Sequence, residues 1–342
     1  MLREQLEKVL SGEDLLTDEM TEAMETIMDG LEPEVLVGAF LAGLRAKGET
    51  IGEIASAASV MRGKALPVNV REKPLLDIVG TGGDRTGTIN ISSTASLVAA
   101  AAGSTVAKHG NRSISSRCGS ADILEALGVP LFATPAEVEA CIRNTGYGFI
   151  FAPHFHQAMK NVAPVRKTLG LRTIFNVLGP LTNPARPSRQ LIGAFSAELV
   201  RPLAQVLDRL GSERAMVVHG HGGMDELSLS GPNRACMLDR GTLEDMEILP
   251  EDAGLDRAPA GYAMGGDTAM NRRIILGILH GEKGPMRDVV VFNAGAALCV
   301  DGLASGLFEG ARIAEDVIDS GRALGKLREV AAFSSSVEAV VA

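Results

Sequence analysis

The apolar run 75–79 stops directly at Gly80-Thr81-Gly82-Gly83-Asp84, and Thr88-Ile89-Asn90-Ile91-Ser92-Ser93 follows a few residues later. A short apolar run ending in glycine reads as a buried parallel strand, and the glycines behind it let backbone N–H groups approach phosphate oxygens. Ser92 and Ser93 open a helical stretch, 92–102, that closes at Gly103, so a second anion-favouring feature lies beside the first. The loop lacks the Gly-Lys-Ser/Thr ending of a Walker A sequence, and Arg85 stands where a dinucleotide fingerprint needs its third glycine. An ordinary glycine-rich turn is the alternative; the helix start behind the loop favours a phosphate cradle.

Around this feature the pattern alternates. Strands are expected at 75–79, 105–107, 148–151 and 215–219, with helices between them, including 121–127 and a helix opened by Thr134, Pro135 and Glu137. This predicts an α/β fold. Residues 1–66 differ: Met20, Met24, Ile27 and Met28, then Val37, Phe40, Leu41 and Leu44, recur at helical spacing, with Gly30 and Gly48 as stops. Thr50 and Glu53 form a capping box ahead of Ile54, Ala57, Ala58 and Met61. The segment 179–184, Gly-Pro-Leu-Thr-Asn-Pro, reads as a fixed loop or a domain crossing.

Composition narrows the function. A formal charge of −9 argues against coating nucleic acid or anionic membrane by bulk charge, so any anionic ligand must be held by local design. Four widely spaced cysteines, no signal-peptide pattern at the start and no apolar run of spanning length point to a cytoplasmic protein.

A second polar loop, Lys108-His109-Gly110-Asn111-Arg112-Ser113-Ile114-Ser115-Ser116, runs on to Ser120 between an expected strand and helix. Two such loops at one sheet edge imply a ligand with more than one phosphate. Asp225-Glu226, after the strand ending at His219, is a weak metal signal by itself; opposite two phosphate loops it favours Mg²⁺, which takes one or two carboxylates together with phosphates and waters. His154 and His156, like His219 and His221, are spaced for zinc on a strand, but neither pair has a third ligand beside it. His156 and Arg166 suit an organic acid, with a structural contact equally open.

These stretches together resemble the anthranilate phosphoribosyltransferase family. The resemblance covers GTGGD at 80–84, NISS at 90–93, KHGNRSISS at 108–116, GSADILEALG at 119–128, NVAPVRKTLGLRTIFNVLGPLTNPA at 161–185, HGHGGMDE at 219–226, and the later GGDTAMN and FNAGAAL. It implies the nucleoside-phosphorylase-like phosphoribosyltransferase fold: a small N-terminal helical domain, 1–70, joined by helices near 160–185, and a large α/β domain, 73–342, with a mainly parallel sheet. It implies a homodimer formed through the helical domains.

It also implies 5-phosphoribosyl pyrophosphate (PRPP) as donor and anthranilate as acceptor, in tryptophan biosynthesis. Gly80, Gly83, Asp84, Thr88, Asn90, Ile91, Ser92, Ser93, the loop from Lys108 to Ser116, and Ser120 match donor positions. Ser92, Asp225 and Glu226 match magnesium ligands. His109, Asn111, His156, Arg166 and Gly179 match acceptor positions, and Lys108, Asn111 and Arg166 carry the expected catalytic roles. No covalent nucleophile is expected. Gln157 stands where the family pattern suggests proline, and Ser93 where threonine is common. A pyrimidine nucleoside phosphorylase, or a non-catalytic relative that binds nucleic acid, remains the alternative.

Overall fold

The computed structural model describes residues 2–113 and 117–341. Four helices come first: α1 (Leu2–Leu10), α2 (Thr17–Met28), α3 (Glu34–Lys47) and α4 (Ile51–Lys64). The apolar positions that predicted them are buried, and the Thr50–Glu53 box closes as expected, with the Glu53 N–H donating to Thr50 Oγ1 at 3.2 Å and the Thr50 N–H to Glu53 Oε2 at 2.8 Å. Such caps contribute about 1 kcal/mol each.

The sheet begins with β1 (Leu76–Gly80), followed by α5 (Ile91–Ala102), β2 (Val106–Gly110), α6 (Ser120–Ala126), α7 (Pro135–Thr145) and β3 (Tyr147–Phe151). Short helices α8 (Ala152–Phe155), α9 (Ala163–Leu169) and α10 (Phe175–Leu181) lead to β4 (Arg189–Gly193), α11 (Val200–Arg209) and β5 (Arg214–His219). A hairpin, β6 (Asn233–Asp239) and β7 (Thr242–Ile248), precedes α12 (Thr268–Leu279), α13 (Pro285–Asp301), α14 (Leu307–Asp319) and α15 (Arg322–Val341). The order across the sheet is β3-β2-β1-β4-β5-β6-β7. β1 to β5 run parallel, and β6 and β7 are antiparallel. The acidic stretch 242–248, for which the sequence pattern gives no assignment, is the edge strand β7, where charge discourages pairing with another sheet.

Strand residues alternate between two cores. On β5, Met216 and Val218 face a core with α5, α13 and α14, while Ala215 and Val217 face a core with α11 and the N-terminal helices. Val162, Val165, Phe175 and Leu178 join that second core, and Asn161 Nδ2 donates to the Met28 carbonyl at 2.7 Å. The residues 160–181 are thereby packed with the N-terminal helices. One expectation is corrected. Gly179 to Leu181 is the last turn of α10 rather than a loop; Pro180 lies inside the helix and costs its last turn one backbone N–H donor.

Candidate active site

The chain runs from β1 to β2 and β3 in one direction across the sheet and returns to β4 and β5 on the other side of β1. The seam between β1 and β4 is therefore the topological switch point, where the crevice beyond the strand ends accepts ligands. Both strands end in glycine there, paired as Gly80 with Gly193. The reason is Asp225: a Cβ on Gly80 would overlap its carboxylate, and one on Gly193 would overlap its carbonyl oxygen. With no side chains in the way, the carboxylate drops onto the seam and accepts the Gly82 N–H at 2.6 Å. Glu226 beside it accepts the Ser92 N–H at the start of α5, at 3.1 Å.

This corner is short of positive charge. Burial, followed by the Asp84 and Glu226 charges, pushes the Asp225 carboxyl well above the usual carboxylate range. Burial also raises Glu226, against the pull of Lys108 and of hydrogen bonds from Ser92. Lys108 itself is 1% exposed on β2 and donates to the Ile78 carbonyl of β1 at 2.6 Å, so it acts from beneath the corner. Its neighbour Asp77 is held by Asn183 Nδ2 at 2.8 Å and the His109 N–H at 3.2 Å, and burial pushes it up to about 6.

A second group lies beside β2 and α10. The rings of His109 and His156 pack with centroids 5.1 Å apart. Burial holds both neutral: His109 falls well below its ordinary value, with the His156 charge adding to the effect, and His156 drops to about 4. The Nε2 of each is buried without a hydrogen-bond partner among the described residues, which is costly unless something polar fills the space. The Gly179 carbonyl faces His109. Arg166 stacks on Phe175 at 5.4 Å and forms no ion pair among the described residues, so its guanidinium is available.

Residues 72–324 match the α/β domain of a glycosyl transferase family, and residues 3–65 match that family's helical bundle domain. The chain is 50% identical over 330 residues to the anthranilate phosphoribosyltransferase of Petrotoga mobilis, covering 96% of each. This chain belongs to the anthranilate phosphoribosyltransferases. The crystal structure of the Thermus thermophilus family member superposes with a TM-score of 0.91 at 47% identity, covering 96% of this chain and 98% of that one. The Saccharomyces cerevisiae anthranilate phosphoribosyltransferase in complex with PRPP and Mg gives 0.90 at 28% identity, with 98% of each chain covered. Its complex with 4-fluoroanthranilate gives 0.89 at the same identity and coverage.

Within this chain, the Gly80–Asp84 loop, Ser92, Asp225 and Glu226 come together at the seam, and His109, His156 and Gly179 form the group beside it, with Arg166 stacked on Phe175 of the same α10. Asn90 ties the two loops, with Nδ2 donating to the Cys118 carbonyl at 3.1 Å and Oδ1 accepting from Asn271 at 3.0 Å. Thr88 forms an isolated antiparallel bridge with Met264, which holds the loop from beyond. Ile91 and Ser93 are buried behind the first loop in α5. The Asn111 N–H donates to Ser120 Oγ at 3.2 Å, while Gly110 makes room for that hydroxyl. Arg112 is paired with Asp122 and Glu125, at 2.8 and 2.9 Å, so a phosphate would have to compete for it. Ser113 shares the Asp122 carboxylate. Ile114, Ser115 and Ser116 lie outside the described residues.

Three residues of the site escape sequence reasoning. Asp77 sits in what looks like a plain apolar strand. Asn183 sits in a turn-rich segment yet reaches back under β1 and β2, where its Nδ2 also donates to the Ala107 carbonyl at 2.8 Å. Arg172 donates to the Gly83 carbonyl and stacks on Phe195 at 4.0 Å, clamping the glycine loop from a segment far along the chain.

Proposed function

We infer that the chain transfers the phosphoribosyl group of 5-phosphoribosyl pyrophosphate to the amine of anthranilate, giving N-(5-phosphoribosyl)anthranilate and pyrophosphate, in L-tryptophan biosynthesis. The observation that carries this reading is the meeting of Asp225 and Glu226 with the Gly80–Asp84 loop and the start of α5 at the switch point. The acceptor nitrogen forms a bond to the anomeric carbon, the bond to pyrophosphate breaks with its electron pair leaving on the pyrophosphate oxygen, and the amine sheds a proton. Nothing covalent is asked of the protein, so its contribution is positioning and charge stabilisation.

The seam fits magnesium by its donor chemistry. Asp84, Asp225 and Glu226 are hard oxygen donors that repel one another, and Ser92 adds a hydroxyl. Mg²⁺ takes one or two carboxylates and leaves its other positions to phosphate oxygens and water. Ser92, Asp225 and Glu226 would hold it, and when bound it neutralises charge developing on the leaving pyrophosphate. Gly83, Asp84, Thr88, Asn90, Ile91, Ser92, Ser93, the loop from Lys108 to Ser116, and Ser120 would hold the donor, with Lys108 supporting the carboxylates from below. The two unpartnered histidine nitrogens, Asn111, Gly179 and the available Arg166 would receive the aromatic acid, the guanidinium pairing its carboxylate.

Residues 1–70, with the helices near 160–185, would form the small domain against 73–342. Leu31 and Val35, 72% and 85% exposed on the N-terminal helical segment, support dimerisation there. Among the described residues no helix is long and apolar enough to cross a membrane, in keeping with a cytoplasmic enzyme. Phosphorolysis of a pyrimidine nucleoside and binding of nucleic acid, both open on the motifs alone, are not favoured by relatives that share nearly the full length. Loss of anthranilate fluorescence on adding PRPP tests the reading: rapid loss with Mg²⁺, abolished by a chelator, is expected. No loss with folded protein would point to another acceptor.

A further inference from the structure

The opposite end of the central strands carries a cationic site. Where β4 and β5 begin, Ser59, Arg62, Arg186, Ser188, Arg209 and Ser212 line a cavity of about 390 Å³. It lies a full strand length from the Gly80–Gly193 corner, roughly 15 Å at about 3.3 Å per residue. None of its three arginines forms an ion pair among the described residues.

Arg62 is the deepest. Its Nε donates to the Leu181 carbonyl at 2.6 Å and its Nη1 to the Leu210 carbonyl at 3.5 Å, so it caps the ends of α10 and α11. Its Nη2 is buried and has no hydrogen-bond partner among the described residues. Burial, with the Arg186 charge beside it, lowers the guanidinium to about 10. Arg186 is held against it, Nη2 donating to the Arg62 carbonyl at 3.4 Å, in the left-handed region at φ 48 that a non-glycine residue rarely takes. Like charges gathered around an orphaned donor, with hydroxyls beside them, form a receptor for an oxyanion.

We propose that this cavity binds a phosphoryl anion, free phosphate or the phosphate of a small ester, at a site separate from the catalytic seam. The bland reading is that Arg62 serves only as a helix cap, and it predicts no ligand. Phenylglyoxal labelling of the whole chain, read peptide by peptide by mass spectrometry, separates the two. Inorganic phosphate should slow labelling of Arg186 and Arg209 severalfold and leave Arg240, which is exposed and paired with Glu213, unchanged. Ribose 5-phosphate in a parallel arm shows whether an ester is preferred to the free ion. Because Arg62→Met would also remove a helix cap, the confirming variant is Arg186→Gln with Arg209→Gln. It should weaken calorimetric phosphate binding about tenfold or more while sparing turnover at the seam. Unchanged labelling of Arg186 and Arg209 at millimolar phosphate, or phosphate affinity unaltered in the double variant, overturns the proposal.

Discussion

A buried carboxylate is kept in place by what surrounds it, and Asp225 shows how narrow that tolerance is. Gly80→Ala would push a methyl into its side chain, and Gly193→Ala would push one into its backbone. The first is expected to cut magnesium-dependent turnover while leaving a folded protein, because a carboxylate can rotate away. The second should destabilise the fold by about 3 kcal/mol, the upper end for overpacking, since a carbonyl cannot move alone. Thermal unfolding and turnover measured side by side distinguish the two. Asp225→Asn with Glu226→Gln should lower turnover at least about a hundredfold, and full activity in that variant would remove both residues from the metal assignment. Arg166→Ala should raise the KM for anthranilate far more than that for PRPP; equal rises would show that the arginine supports the cleft rather than the acceptor.

Elements contribute by deciding which side chains never reach water. His156 is pinned between β2 and α10, and its low folded value carries a sign. Above its ordinary value of about 6.5 both folded and unfolded forms are neutral; as pH falls below it the unfolded chain takes up the proton first, so stability is lost down to the folded value of about 4. The stability of the chain relative to His156→Asn should therefore shrink by about 2 kcal/mol near pH 5, measured by denaturant unfolding across that range. Much of this element scale was legible beforehand. The glycine loop, the helix behind it and the Thr50 and Thr134 caps follow from local chemistry, and they stand within a residue or two of their expected ends. Asp77, Asn183 and Arg172 were not legible, because each acts across a long loop and carries no local pattern. The 179–184 segment misled for a related reason: glycine and proline signal a break, but here the break falls at a helix end packed in the core.

At the scale of the whole molecule, the parallel order with a return across β1 is what gives one crevice two glycine-bearing loops and a carboxylate pair. If the N-terminal helices also carry a dimer contact, sedimentation of the chain should give twice the monomer mass, and a Val35→Glu variant should shift it toward the monomer while stability stays nearly unchanged. The place of β4 has a further consequence, for the order in which the molecule comes into being. On the ribosome both glycine-bearing loops emerge early, on β1 and β2, yet β1 keeps an open edge until β4 is made, and the acidic pair follows only after β5. A partly synthesised chain therefore carries both glycine-bearing loops and Asp84 without the Asp225–Glu226 pair, and the full set of seam carboxylates arrives only late.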